Sequence, residues 1–405
     1  MGIATEQATR IYAGFIKTGE RANEYFKSWT FDEPLAVSES TDQKFRSVQR
    51  LLHKAIRHFV LNYAQFRHLM PVSAEVEGIC ARAAQKEYNV GTYRADFIIE
   101  PDNSIRLIEM NCRFPLNGFF ITGFFNMVAD AYARETGLSK VDDYTPFFDY
   151  LVSYFGAFDD VCILKKGSEK RNETKFIQEV FTEAGFAVHT LACEEIPANL
   201  RMLENAAVIC ELDHTDLLSL PAYALEAIIH SKSLNDLRTV FLVHDKRFFA
   251  VLNHDEFLFS ALSSDEAAEL RAYLVPTYTA SERLDLWQNA REQKDGWILK
   301  PCVFGKSKNV FAGKVTEQRE WERLFSEGET AGMVLQPFIS QRLFQGTIGS
   351  QRFQDYVVGT LLYFNDQYFG PGIFRASSFP VTNIKDDRKL APFVTAKSAS
   401  FTGSI

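Results

Sequence analysis

Residues 93–115 constrain the fold of this chain more than any other stretch. Two runs of strand-forming residues, 93–100 and 105–115, flank Pro101, Asp102, Asn103 and Ser104. Asp and Asn at such positions bond their own backbone and tolerate unusual φ, so the stretch predicts a β-hairpin. Side chains alternate between the two faces of a strand. Arg94 and Asp96 therefore share one face of the first strand, and Glu109 and Asn111 share one face of the second. With the strands in register, Asp96, Glu109 and Asn111 converge beside an arginine. Three oxygen ligands without Cys or His suit a hard cation such as Mg²⁺, which keeps some waters and is completed by substrate phosphates. The same pattern suits an edge hairpin with a solvated polar face, and spacing by itself leaves both readings open.

A chain of 405 residues has room for two or three domains with a large core. Hydrophobic residues make up 46% and charged residues 24%, as in ordinary soluble globular proteins. Lysine and arginine number 44 against 52 acids, a net charge of −8, which argues against a nucleic-acid surface but allows a local basic pocket. The 36 phenylalanines fit either a filled core or apolar substrate walls. Six scattered cysteines have no zinc-ligand or CxxC spacing and read as reduced thiols of a cytoplasmic protein. No signal peptide is expected. The most apolar window, residues 119–133, is too short to span a bilayer, so no membrane partner is expected.

Along the chain, residues 5–70 read as mostly helical, with apolar positions at spacings of three and four over 42–68. The basic residues Lys44, Arg46, Arg50, Lys54 and Arg57 read as a solvated helix face. Another helix is expected over 73–86, and a buried one over 119–135. From residue 156 the pattern changes to alternating strands and helices. Strands are expected at 161–164, 187–191, 206–210 and 239–243, which predicts a small parallel α/β unit. It lacks GxGxxG after its first strand, which disfavours a dinucleotide site. Helices then read over 245–263, 264–273, 281–293 and 317–327. Strands read over 297–301, 310–314 and 333–338, followed by a hairpin over 355–374 turning at Asn365 and Asp366. Residues 392–405 read as a loose tail. The fold class expected is α/β (α+β).

Several positions carry candidate chemistry. Lys300 ends a strand and Gly305, Lys306 and Lys308 follow in a loop that could cover phosphates or be a solvated surface turn. This is not a Walker loop. Lys246 stands at a helix start and is either a second phosphate contact or a surface lysine. Gln336 interrupts an apolar strand, where a buried amide needs a partner such as a purine edge or a backbone group. Arg375 follows Gly372, Ile373 and Phe374, and an arginine there calls for an anionic partner.

In this order the pieces resemble the circularly permuted ATP-grasp ligases of the glutathionylspermidine synthetase-like group. The matching features are Arg94-x-Asp96, Glu109-x-Asn111, Lys246, Lys300-Pro301 with Gly305, Gln336, and Gly372-Ile373-Phe374-Arg375. The resemblance covers residues 90–115 and 239–385. It implies an ATP-grasp fold of permuted topology. Residues 1–155 would hold N-terminal helices and the metal hairpin, 156–243 a pre-ATP-grasp-like α/β domain, and 244–405 the nucleotide-binding part, with a lid over about 280–338. It also implies roles. Asp96, Glu109 and Asn111 would hold Mg²⁺; Lys246, Lys300, Gly305 and Lys306 would meet ATP phosphates; Gln336 would lie near adenine; Arg94 and Arg375 would steady the transferring phosphoryl group. The implied activity is an ATP-dependent carboxylate–amine ligase working through an acyl phosphate and releasing ADP and phosphate. Its partners would be small-molecule carboxylate and amine substrates, with homo-oligomerisation left open. A phosphotransferase on the same fold and a non-catalytic nucleotide-binding protein are the alternatives. The loop departs from the family's Gly-Arg-Glu-Gly, and substrate identity does not carry over.

Overall fold

The computed structural model describes residues 28–116, 118–123, 146–167, 172–303, 309–382 and 385–395. The helices expected over 5–27, the 119–135 helix beyond residue 123, Gly305 and Lys306, and the tail from residue 396 on lie outside the described residues.

The chain enters through β1 (Leu35–Ser38), the helices Glu39–Leu61 and Ala74–Ala83, and the hairpin β2 (Thr92–Ile99) and β3 (Ile105–Asn111). After the helix Pro146–Phe155 comes a unit of β4 (Asp160–Lys165), β5 (Ala187–Ala192), β6 (Ala206–Glu211) and the short β7 (Lys232–Ser233). These strands pair in parallel, in the order β5-β4-β6-β7, as short apolar strands linked by helices require. The next strands are β8 (Tyr278–Thr279), β9 (Trp297–Pro301), β10 (Phe311–Ala312) and β11 (Met333–Pro337), ordered β10-β9-β11-β8 in an antiparallel sheet. Trp287, Trp321, Leu299 and Leu335 form a separate core beneath that sheet. The chain closes with β12 (Phe344–Ile348), β13 (Gln351–Phe364), β14 (Gln367–Pro371), β15 (Phe374–Ser377), β16 (Arg388–Leu390) and β17 (Pro392–Thr395).

The central sheet runs β16-β15-β13-β2-β3, with β12 and β14 also on β13, and its pairs are antiparallel. Its two faces differ because strand side chains alternate. One face packs on the helix Glu39–Leu61, which begins at Ser38, whose Oγ accepts from the Thr41 amide at 3.2 Å. Phe97 meets Phe45 at 5.1 Å between ring centroids and Phe374 at 5.5 Å. Gly359 sits between these rings, where a Cβ would come within 2.3 Å of Phe97. The other face carries the polar row described below. Phenylalanines mostly fill cores: Phe114 is the one phenylalanine among the described residues that lines the main cavity.

Three expectations are corrected. Residues 239–243 are not a strand. Each is buried, and the His244 amide bonds the Thr239 carbonyl at 3.3 Å, closing a wide helical turn. A short apolar run buried on every side does not distinguish helix from strand by its periodicity. Residues 392–395 are not tail but β17, which pairs in parallel with β1. That pairing joins segments about 360 positions apart, which no local pattern reports. Finally, the 355–374 hairpin does turn at Asn365, which adopts φ 52°, but Phe374 belongs to β15. That strand returns along β13 beyond the turn at 372–373, so Arg375 lies inside a strand and not just past the end of the expected hairpin.

Candidate active site

The hairpin forms in the expected register. Asp96 stands opposite Glu109 and Arg94 opposite Asn111. β13 extends the rows, with Thr360 opposite Asp96 and Val358 opposite both Ile98 and Arg375. Asn235, 1% exposed, pins the end of the hairpin: its Nδ2 donates to the Thr92 and Cys112 carbonyls at 2.7 Å each, and its Oδ1 accepts from the Thr92 amide at 2.9 Å.

Asp96 is fully buried. It accepts from Arg94 Nε at 2.8 Å, Arg94 Nη2 at 3.2 Å and Arg375 Nη2 at 2.7 Å. Asn111 Nδ2 lies 3.3 Å from Asp96 Oδ2 and 3.4 Å from Glu109 Oε1. The carboxylate thus fixes two arginine forks whose side chains keep 11% and 17% exposure.

The register slips at Ile108, where β3 has one residue more than β2. Such a bulge re-aims local groups and strengthens the twist. The Ile108 carbonyl accepts from Lys300 Nζ at 3.1 Å and Gln336 Nε2 at 3.4 Å. Both donors come from the β8–β11 sheet, so a single carbonyl ties the two sheets together. Gln336 is 1% exposed and also donates to Thr277 Oγ1 at 2.9 Å, so its amide has backbone and side-chain partners. Lys246 is buried at the start of the helix Arg247–Asn253, with its amide bonded to the Cys302 carbonyl at 2.9 Å and its Nζ 3.7 Å from Glu109 Oε2. It is not a surface lysine.

Charge governs the protonation of these groups. Burial pushes the Glu109 carboxyl up, but Lys246, Lys300, Arg375 and Arg94 together outweigh it and hold it down at about 2. Burial lowers the Lys300 ammonium to about 8; Glu109 opposes this and Lys246 adds to it. Glu109 is therefore ionised at neutral pH, and Lys300 is close to its own titration.

Arg94, Glu109, Asn111, Lys246, Lys300, Gln336 and Arg375 line one cavity of about 650 Å³, within the range of small-molecule sites, and Asp96 lies behind its wall. Among the described residues six cationic side chains face it (Arg94, Arg113, Lys246, Lys300, Arg375 and Lys389) against two carboxylates, Glu109 and Asp387. A chain of net charge −8 thus concentrates positive charge where an anion would bind. The lining also includes the apolar residues Ile98, Val275, Ile298 and Ile339, with Ile298 standing opposite Gln336 across β9 and β11. Among the described residues no group of three or more His, Cys, Asp or Glu side chains is arranged as a metal cluster. The donor set fits Mg²⁺ in another way. Glu109 and Asn111 offer hard oxygen atoms on the cavity wall, with Asp96 behind them, and such a cation takes one or two carboxylates and fills its remaining positions with water and phosphate.

Sequence reading missed Arg113, Thr360, Asp387 and Lys389 as cavity residues. Arg113 had a signal, since it continues the alternation of Glu109 and Asn111 by two residues. Thr360 had none, because it lies in the apolar run of β13.

A family model described as the AnkG N-terminal domain matches residues 48–242, which include the hairpin and the parallel unit. The ATP-grasp enzyme ankG of Aspergillus thermomutatus is 24% identical over 429 aligned residues, covering 90% of this chain and 88% of that protein. A glutathione synthetase-like effector, GSS30 of Globodera pallida, solved in its apo form, matches with a TM-score of 0.58 at 12% identity, covering 97% of each chain. The chain is thus similar in sequence to an ATP-grasp enzyme, and its mixed α/β architecture resembles that of the glutathione synthetase-like structure along nearly its whole length. No helix among the described residues is long and apolar enough to cross a membrane.

Proposed function

We propose that this protein is an ATP- and Mg²⁺-dependent carboxylate–amine ligase, with its ATP-grasp elements in permuted order. One observation carries the reading. The polar row of residues 94–111 and the cations and amide at 246, 300, 336 and 375 surround a single cavity, although they lie far apart in the chain. The hairpin acids precede the lysines in sequence, as a permuted topology requires. The comparison with ankG supports ATP-grasp chemistry.

In this reading the apolar lining residues and Gln336 take the adenine, and Lys246 and Lys300 take the phosphates. Mg²⁺ held by Glu109 and Asn111, with Asp96 behind them, would neutralise phosphate charge. Arg94 and Arg375, already oriented by Asp96, face the transferring phosphoryl group without having to reorganise. A substrate carboxylate oxygen attacks the γ-phosphorus, the bond to the bridging oxygen breaks, and ADP leaves. The amine then attacks the acyl carbon, loses a proton and expels phosphate. Catalysis of this kind rests on positioning and electrostatics, and removing one such cation is expected to cost roughly 10²-fold or more in rate.

Hydroxylamine trapping with ATP, Mg²⁺ and a panel of amino acids and simple carboxylic acids tests the reading. Carboxylate-dependent hydroxamate together with ADP is the expected result. ADP with a phosphorylated small product and no hydroxamate would identify a phosphotransferase instead.

A further inference from the structure

Beyond Arg375 the cationic row continues. Lys389 on β16 stands directly opposite Arg375 on β15. In an antiparallel pair such residues point to the same face, about 5 Å apart at Cβ. Both line the cavity, as does Asp387, two residues before Lys389. The Lys389 side chain keeps 13% exposure, and it is ion-paired with Asp387, whose side chain keeps 41%. Burial lowers the proton affinity of Lys389; Asp387 opposes this, while Arg375 and Arg94 add to it. An ammonium this deep beside two arginines is costly unless an anion meets it.

The other acids of the row are already committed. Asp96 is held by both arginines, and Glu109 lies beside Lys246 in reach of Lys300. At the Lys389 end the anion is Asp387, the more exposed member of its pair and itself on the cavity wall.

We propose that Lys389 anchors the carboxylate of the substrate that is to be activated, and that Asp387 is an internal competitor holding this lysine until substrate arrives. The proposal rests on the ligase reading and adds the carboxylate subsite to it. Entry of the substrate is an exchange of one carboxylate for another, so the lysine is never left buried without a counter-charge. Asp387, displaced from the lysine, already keeps 41% of its side chain exposed. Arg375, opposite the anchor, then holds the same carboxylate next to the transferring phosphoryl group.

The exchange has consequences of opposite sign, which a merely structural ion pair would not have. Carboxylate-dependent ADP release and hydroxamate formation are measured on the full chain with the acid panel, for wild type, Lys389→Met and Asp387→Asn, with thermal unfolding as a check on folding. Losing the anchor should raise KM for the carboxylate about tenfold to a hundredfold, the worth of a hydrogen bond to a charged group, while KM for ATP stays within about twofold. Losing the competitor should lower KM for the carboxylate. An unchanged carboxylate KM in Lys389→Met, or a rise in Asp387→Asn, overturns the anchor while wild-type turnover still upholds the ligase. Wild-type protein that releases no carboxylate-dependent ADP with any acid overturns both.

Discussion

Replacing Asp96 by Asn removes a buried charge that two arginines share. The carboxylate is fully buried and accepts three bonds from Arg94 and Arg375, between 2.7 and 3.2 Å. An amide keeps one acceptor oxygen, turns the other position into a donor aimed at guanidinium, and takes a full counter-charge away from two nearly buried cations. Breaking a buried pair in this way costs about 3–5 kcal/mol. Access of the arginines to the cavity trims this, so about 3 kcal/mol is expected. That is a large part of a typical folding stability of 5–15 kcal/mol. Glu109→Gln is the control. Glu109 is 24% exposed and its nearest lysine stands at 3.7 Å, so its loss should cost less than that of Asp96, although Lys246 and Lys300 lose the carboxylate that faces them. Urea unfolding followed by circular dichroism compares the two midpoints, and ATP turnover is measured on both. Turnover should vanish in both variants, with the larger drop in midpoint for Asp96→Asn. Equal midpoints would refute the reasoning, because the arginines would then not depend on Asp96.

Other consequences can be tested separately. Lys300 is protonated below about pH 8, and kcat/KM reports the free enzyme, so kcat/KM for ATP should be level at neutral pH and fall above about pH 8; a profile level to pH 10 would contradict the role of this ammonium. Arg375→Lys keeps the charge but loses the planar fork, and kcat should fall roughly 10²-fold in steady-state assays; a near-normal kcat would show that point charge suffices. Gln336→Ala leaves the Ile108 carbonyl and Thr277 hydroxyl without this partner and should raise KM for ATP while costing about 1–2 kcal/mol of stability, both read from one preparation. Gly372→Ala would put a Cβ 2.4 Å from Thr360 Oγ1 and 3.2 Å from Thr122 Oγ1. These hydroxyls bond the Ile373 carbonyl and amide, so overpacking should cost about 1–3 kcal/mol in a thermal melt, and an unchanged melting temperature would count against this packing.

The hairpin was legible because period-two alternation is a local property. Arg94, Asp96, Glu109 and Asn111 could be assigned to one face before any partner strand was known, and the register agrees. Gln336 and Arg375 were legible as residues costly to place where they stand, whereas Lys246 and Lys300 read equally as solvated lysines. What brings them together is long-range. The bulge at Ile108, whose carbonyl receives Lys300 and Gln336, cannot be read from an unremarkable run of apolar and charged residues. Lys389 stands in a run of charged residues, 385–389, and only its pairing with Arg375 on β15 turns it towards the cavity. The Thr239–Val243 turn misled because β-branched and aromatic residues favour strands, whereas burial on all sides allows either structure. Pairing of β1 with β17 depends on closing the whole chain and has no local signature.

The most direct test of the central claim follows one oxygen atom. A carboxylate substrate found in the trapping assay is labelled with ¹⁸O and turned over with ATP, Mg²⁺ and an amine. If the carboxylate is phosphorylated before the amine attacks, one labelled oxygen leaves with phosphate, and the inorganic phosphate carries ¹⁸O in proportion to amide formed. Amide formation with unlabelled phosphate would contradict an acyl-phosphate ligase in this cavity.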